Sequence, residues 1–586
     1  MKKSIIAGII LSSGLFMACD DVFVPAPENN LPIDFLEENS TYAENMLGVV
    51  YTYYNMVGGI PFNEPATDDA VSNDATNSWR RIAAGSWTSQ ENPVNRWENC
   101  RSAIQYCNIF LDNLERITWT KEDFVNDIFE IRFRSEALAL RGIHMYFLLQ
   151  AHGGYSADGQ LLGIPIVLEP EGAGTNFNIP RDSFEACVAA AKSDLNEALK
   201  GLPIKYGSTC FQDMRAKYPG ITDGQLERLF GEKFTGRIDG RIVEAFIARL
   251  DLLSASPAFG NDSGITWADA ANSNAKVIER IGGIDGLDPT GNTWYCHTDI
   301  DNYSQSQCPP EVMWRSEKGN SHDLEQENFP PSLYGNGRIN PTQNFVDAFP
   351  MENGYPISSS ESGYDPGNPY AGRDPRLGLY VIYNGAPAGI NNSPINTGSD
   401  SSNDDGLGKI STSTRTGYYL KKHLRMDVNC NPSSVVDKSH YTARLRYTEF
   451  FLNFAEAANE AWGPMGSSQQ GYSAYEVIKQ IRRRAGIGLE NGDAYLESIK
   501  NDKEAMRELI RNERRIELSF EGFRFFDLRR WKADLNEAAQ GVNISNGVYN
   551  IFNVESRNYV VPQMYYGPIP YSEVLKFSEL KQNAGW

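Results

Sequence analysis

The chain reads as a mainly α protein with one long loop-rich insertion carrying short strands, and three observations predict it. Apolar residues recur at helical spacing over nine segments, near 39–57, 94–116, 122–151, 182–200, 237–256, 266–281, 443–462, 472–485 and 503–521. Between 282 and 442 that spacing breaks into short stretches punctuated by Gly, Pro, Asn and Asp, the mark of loops and short strands. No Pro/Ser linker or composition break divides the chain cleanly, although its length alone would suggest several domains.

The elements can be justified in order. Cys100 and Cys107, seven apart in the second helix, lie about 10 Å apart along its axis, too far to bridge; they read as small buried residues of one face. In the third helix His144 shares the apolar stripe of Phe133, Ala137, Leu140 and Leu148 and reads as a core histidine. Asp182-x-x-Glu185 reads as a capping box opening a helix whose inner face carries Phe184, Val188, Leu195 and Leu199. Within the insertion, 298–302 alternates oxygen-bearing side chains but lacks the rest of a calcium-binding EF-hand and reads as a polar loop. The stretch 384–417 is the most polar and is expected to be the most mobile. In the last helix Met506, Leu509, Ile510, Ile516 and Phe520 form an apolar stripe, with Glu513 and Glu517 in its middle. Carboxylates facing a core must be paired. Arg514, Arg515, Arg524, Arg529 and Arg530 supply nearby guanidinium forks.

Charge and motifs exclude several functions. The chain has 54 bases against 75 acids, a net charge of −21, and no basic surface suited to nucleic acid. Sulfated or strongly acidic ligands are disfavoured as well, unless a local basic pocket overrides the field. There is no Walker loop, dinucleotide fingerprint, HExxH or nucleophile elbow, and the six histidines show no metal-ligand spacing. No cofactor is expected. A surface glycosidase is the enzymatic rival, but arginines beside Glu513 and Glu517 should depress their pKa values, the opposite of what a general acid needs. Those glutamates are read as structural.

Five blocks carry a resemblance. NERRIELSFEGFRFFDLRRW (512–531), IPYSEVLKFSELKQNAGW (569–586), RYTEFFLNFAEAANEAWG (446–463), FVDAFPMENGYPI with RDPRL (345–357 and 373–377) and FRSEALALRGIHMYFLLQAHGGY (133–155) follow one another in the expected order. Tyr447 departs from the small or apolar residue usual at its place. On these blocks the chain resembles the SusD/RagB family, nutrient-binding outer-membrane lipoproteins of Bacteroidota. The resemblance implies eight helices arranged as four tetratricopeptide-like pairs, with the loop-rich region on one side. It also implies a non-enzymatic role: capture of an oligosaccharide and delivery to a SusC-like TonB-dependent transporter, over which the protein sits as a lid. Some relatives take up peptides, which leaves a peptide receptor as the alternative.

The amino terminus gives a separate argument for location. Lys2 and Lys3 precede a short apolar run, and Leu15-Phe16-Met17-Ala18-Cys19 resembles a lipobox in which Cys19 is acylated. Residues 1–18 are expected to be a signal, 19–32 a lipidated tether and 33–586 the body, with a scaffold at 33–281 and 443–586 and a ligand-binding insertion at 282–442. Loss of 1–18 removes two lysines and no acid, leaving 52 bases against 75 acids and a net charge near −23. Asp20 and Asp21 resemble the family's signal for the outer face of the outer membrane.

Aromatic residues make up 11% of the chain, and several lie in segments that read as loops. A flat ring beside fixed donors and acceptors suits a neutral sugar, whose C–H face stacks while its hydroxyls are hydrogen-bonded. The resemblance places the binding face in the loop after the first helix and in the insertion, here about 62–97 and 286–340. Trp79, Trp97, Trp294, Tyr295, Tyr303 and Trp314 are therefore the stacking candidates, with Asp69 and Arg81 as polar ones. Trp97 opens a helix and fits a core place equally well, while Trp462, Trp531 and Trp586 are read as core.

Overall fold

The computed structural model describes residues 39–59, 62–260, 262–304 and 307–586. The expected signal, Cys19 and the tether lie outside them. All nine expected helices form: α1 (Ser40–Val57), α2 (Trp97–Asn113), α3 (Asp123–His152), α4 (Phe184–Gly201), α5 (Gly240–Ala255), α6 (Trp267–Glu279), α7 (Tyr447–Trp462), α8 (Ala474–Arg484) and α9 (Lys503–Glu517). From α1 to α7 each packs on its predecessor, and α7 then carries both α8 and α9. One apolar core runs through the whole stack, from Leu47 and Val50 through Phe147 and Phe246 to Phe454 and Ile510. The sequence passes from α6 to α7 through the insertion, yet the two helices pack directly, which is why no linker marks the boundary. A shorter helix, α10 (Arg524–Arg530), follows α9 after a tight turn.

Local details refine the sequence reading. Ser183, not Asp182, caps α4: its hydroxyl accepts from the Ala186 amide at 3.1 Å, while Asp182 Oδ2 accepts from the Ile166 amide at 2.8 Å. Cys100 and Cys107 are both buried and unbridged. His144 is a core residue whose Nδ1 lies 3.5 Å from Cys100 Sγ, and burial pushes its pKa down to about 3. Asp301, in the stretch that alternates oxygen ligands, gives both carboxylate oxygens to Arg425 at 2.7 and 3.0 Å.

The insertion is held by two-stranded antiparallel ladders. Three of these ladders are built from β1 (Ala70–Ser72) in the loop after α1 and from β2 (Val312–Arg315), β3 (Gly319–Ser321), β4 (Ile339–Pro341), β5 (Lys438–His440) and β6 (Ala443–Arg446) in or at the edge of the insertion. β1 pairs with β4, β3 with β5 and β2 with β6, so the loop after α1 is sewn to the insertion with Ser72 opposite Ile339. A hairpin of β7 (Ala539–Ser545) and β8 (Val548–Glu555) packs with the insertion too, since Val542 and Ile544 join a second core with Phe345, Tyr380 and Leu420. The stretch 384–417 is stitched down: Thr397, Asp405, Thr414 and Thr416 are fully buried, and Thr414 Oγ1 donates to the Tyr418 carbonyl at 2.7 Å. Many of its polar groups are paired within the fold, Ser413 Oγ donating to the Asp404 carbonyl and Tyr419 Oη to the Asp405 carbonyl, while Thr397 Oγ1 is buried without a partner.

Insertion and scaffold meet at a buried ion cluster. Glu513 and Glu517 are buried as expected, but their partners come from elsewhere in the chain. Arg376 reaches Asp374 at 2.7 Å, Glu513 at 2.9 Å and Glu517 at 3.1 Å. Arg482 closes Glu513 at 2.7 Å and Arg484 closes Glu517 at 2.6 Å. Burial pushes Glu517 up, but Arg484, Arg446 and Arg376 outweigh it and hold it at about 2. The neighbouring arginines are used differently. Arg514 binds Asp527, Arg530 binds Glu456, Arg515 and Arg524 bind Asp68, and Arg529 lies 3.4 Å over the Phe525 ring.

Candidate functional site

Where the loop after α1 meets the insertion, two adjoining chambers open, one of about 490 Å³ and one of about 310 Å³. They share Phe62, Ser321, Leu324 and His440. The outer chamber has Ser72, Asp74 and Asn77 on the α1-loop side and Asp323, Glu327, Arg338 and Ile339 on the insertion side. The β1–β4 ladder fixes these walls, because it sets Ser72 directly across from Ile339. Asn73 extends the seam by donating its side-chain amide to the Asn336 carbonyl at 2.8 Å.

Each polar group is held by a local device. Asp74 accepts from the Thr76 amide at 2.8 Å and hydroxyl at 2.7 Å, and that hydroxyl keeps its carboxyl below the usual range. Asn77 caps the short helix Ser78–Arg81 through the Arg80 amide at 3.0 Å. Arg338 is steadied by Glu327 at 3.2 Å. His440 Nε2 lies 2.9 Å from buried Glu325; burial opposes the imidazolium, but Glu325 outweighs it and raises the pKa.

The inner chamber has an aromatic floor of Phe62, Tyr295, His423 and Tyr441. Phe62 and Tyr295 flank His423 at centroid distances of 5.8 and 5.4 Å. Phe62 adopts φ 44°, a left-handed backbone that an aromatic residue holds only at a cost of about 1–3 kcal/mol. Its ring lines both chambers and packs against the second core.

The structure redistributes the residues singled out in the sequence. Tyr295 lines the inner chamber. Trp294 is 1% exposed and backs the floor, packing on Tyr295, His423 and Tyr441 from behind. Trp314 is 2% exposed and fills the scaffold, its Nε1 donating to the Gly236 carbonyl at 2.8 Å. Trp97 opens α2 as a core residue, edge-on to His152. Asp69 is fully buried and ion-paired to Arg515 at 2.6 Å, so it serves the framework instead of a ligand. Trp79 is half-buried, edge-on to Phe525, and outside both chambers. Arg81 is exposed and paired with Glu91, and Tyr303 is half-buried after the turn Thr298–Asn302. The stretches 62–97 and 286–340 both contribute to the outer chamber, through Phe62, Asp74, Asn77 and Arg338 that sequence reasoning did not single out, and His440 joins them from outside both stretches. Only the Asn-Asp pair at 73–74, a turn signal beside a strand, marked the spot.

Comparisons with known proteins agree with this architecture. A family model described as "SusD family" matches residues 310–586, and one described as "Starch-binding associating with outer membrane" matches residues 30–216. The SusD-like protein P38 of Formosa agariphila is 32% identical over 122 residues, 21% of this chain and 22% of that protein. The SusD-like protein P2 of the same organism is 30% identical over 142 residues, 24% of each. The matched part thus spans about a quarter or less of these relatives. Among solved structures, a SusD-like protein from Bacteroides fragilis has a TM-score of 0.70 at 22% identity, covering 95% of this chain and all of that one. A SusD-like carbohydrate binding protein from the same species has a TM-score of 0.66 at 20% identity, covering 93% of this chain and 100% of that one. Surface glycan-binding protein A from Bacteroides fluxus has a TM-score of 0.56 at 18% identity, with 94% and 100% covered. The likeness in structure shows the fold, and the family models match both the helical start and the ion-clamped end, so the chain belongs to the SusD/RagB family.

Proposed function

We propose that this protein is a surface-exposed lipoprotein, anchored through Cys19 in the outer membrane, that captures an oligosaccharide and passes it to a SusC-like TonB-dependent transporter without cleaving it. The observation that carries the reading is the two-chamber cleft: an aromatic floor beside polar walls is what a sugar's C–H face and hydroxyls require. The relatives described as carbohydrate binding and glycan-binding support the ligand class. Among the described residues no helix is long and apolar enough to cross a membrane, and anchoring is assigned to the lipid. Asp74, held low by Thr76, suits acceptance from sugar hydroxyls better than proton donation to a leaving group.

Calorimetric titration with a panel of oligosaccharides and oligopeptides, with product analysis on the same samples, tests the reading. Saturable binding of a glycan without product supports it, and Phe62→Ala should weaken that binding about 2–10-fold, the worth of one stacking ring. Binding of peptides alone would replace the glycan reading, and cleaved product would overturn the receptor reading.

A further inference from the structure

Beyond the two chambers the groove continues and its electrostatics change. A third chamber of about 660 Å³ adjoins the inner one through Ser316, Glu317 and Thr442, and a small chamber of about 100 Å³ opens from it past Gly59 and Arg444. The small chamber is lined by Arg96, Arg249, Arg444, Arg446, Arg514 and Arg530 against Glu449, Glu521 and Asp527. Four of these arginines are spoken for: Arg249 by Glu449, Arg446 by Glu521, Arg514 by Asp527 and Arg530 by Glu456. Arg96 and Arg444 have no carboxylate partner among the described residues.

Both free guanidiniums are held flat by rings. Arg444 lies 4.6 Å from the centroid of Trp314 and 5.3 Å from that of Tyr54, and its Nη2 donates to Asn55 Oδ1. Arg96 lies 4.9 Å over Phe147 and 5.2 Å over Phe526, with Nη1 donating to Gln150 Oε1 at 2.6 Å. The rings are continuous: Trp314 packs on Tyr54 at 4.6 Å and Tyr54 on Phe147 at 5.6 Å. One aromatic shelf therefore carries a cation at each end. Neither guanidinium has a nitrogen sealed away from solvent without a partner, so the open edges of both forks are reachable. The Tyr54 hydroxyl, by contrast, is buried and unpartnered, and it ends against Gly58, which itself lines the chamber. A stacked guanidinium with free donor edges is pre-organised for bidentate binding of a planar or tetrahedral oxyanion.

We infer that the chamber between Arg96 and Arg444 is an anion subsite that takes a carboxylate or sulfate group carried by the captured glycan, so that the ligand is an acidic oligosaccharide. This rests on the glycan reading above and narrows it. A chain with a net charge of −21 repels such ligands at long range, and two unneutralised arginines over an aromatic shelf are the local reversal that capture of one would need.

The test compares a uronate oligosaccharide and a sulfated one with carboxyl-reduced and desulfated counterparts of the same length, on the purified full chain. The acidic ligands should bind on the order of tenfold or more tightly than their neutral forms, the worth of a charge-assisted hydrogen bond or two. Inorganic sulfate should compete where chloride at equal ionic strength does not. Arg96→Lys and Arg444→Lys, which keep the charge and lose the fork, should each shrink the preference while leaving neutral-sugar binding in place. Which of the two acidic series gains more identifies the anion as carboxylate or sulfate. Equal binding of neutral and acidic forms would overturn the inference and leave the glycan reading intact. Failure of every glycan to bind would overturn both, and a peptide preference that depends on a free C-terminal carboxylate would move the subsite to another ligand class and refute the sugar assignment.

Discussion

Arg376→Met puts the joint between insertion and scaffold to a quantitative test. In the wild-type protein this side chain is fully buried and bonded to three carboxylates. Removing it does not orphan all three. Glu513 keeps Arg482 at 2.7 Å and Glu517 keeps Arg484 at 2.6 Å, whereas Asp374 loses its guanidinium outright. One uncompensated buried charge is worth about 3–5 kcal/mol. If the body unfolds as one unit, an unfolding entropy of about 2.1 cal/mol/K per residue spreads that loss over a midpoint shift of only about 3 °C. Urea titration is therefore the better assay, and preferable to guanidinium chloride, whose ions screen the interactions under study. Asp374→Asn added to Arg376→Met removes the orphaned charge and should recover part of the stability. The acid limb gives a second readout. Glu517 titrates near 4.5 when unfolded and about 2 when folded, so its contribution is complete above pH 4.5 and is lost as pH falls towards 2. Without Arg376 the folded value rises, and part of that contribution is absent at neutral pH. A loss below about 1 kcal/mol, or a double variant worse than the single one, would refute the view of Arg376 as the joint.

Three further outcomes follow from the same structure. Glu64 is buried beside the cleft, and burial pushes its pKa to about 7 from the ordinary 4.5, so the unfolded chain gives up this proton first and stability declines between those values; Glu64→Gln should flatten that decline and stabilise the protein by about 3 kcal/mol at pH 8, measured by urea titration across pH. Asn583 donates to the His152 and Gly567 carbonyls at 3.0 and 2.7 Å and accepts from Arg181, so Asn583→Ala should lower stability by about 2 kcal/mol and speed amide exchange in the last residues. Trp294→Ala, in the layer behind the floor, should destabilise by about 3–5 kcal/mol in the same titration, unlike the surface loss expected of a stacking platform.

Helices and blocks were legible in the sequence because their signals are local. The 3.6-residue spacing from 503 to 517 marks α9 without any knowledge of its partners, and the buried place of Glu513 and Glu517 follows from the same stripe. Their partners were not legible, since Arg376 and Arg482 lie 137 and 31 residues away and five nearer arginines offered a false solution. The surroundings of the candidate site residues were illegible for the same reason. Tryptophans in Gly- and Asn-rich stretches look exposed, but Trp294 is buried in the second core and Trp314, on strand β2, in the scaffold core. Phe62 faces the cleft through a left-handed backbone that leaves no trace in residue type. The pair of stretches could be named from the resemblance, because their position in the chain order is a property of the fold.

The seam between β1 and β4 also orders events in time. Ser72 meets Ile339 across 267 residues of chain, and Arg524 reaches back 456 residues to Asp68. From α1 to α6 the stack needs only neighbours in sequence and can form progressively from the amino end, whereas the cleft needs β4 from the insertion and the arginines of the last eighth of the chain. The loop from Phe62 to Arg81 gains its pairing strand only with Ile339–Pro341, and Asp68 and Asp69 gain their counter-ions later still, with Arg515 and Arg524. Binding competence should therefore lag behind helix formation during refolding, and a chain truncated before Arg515 should be helical yet unable to close its site.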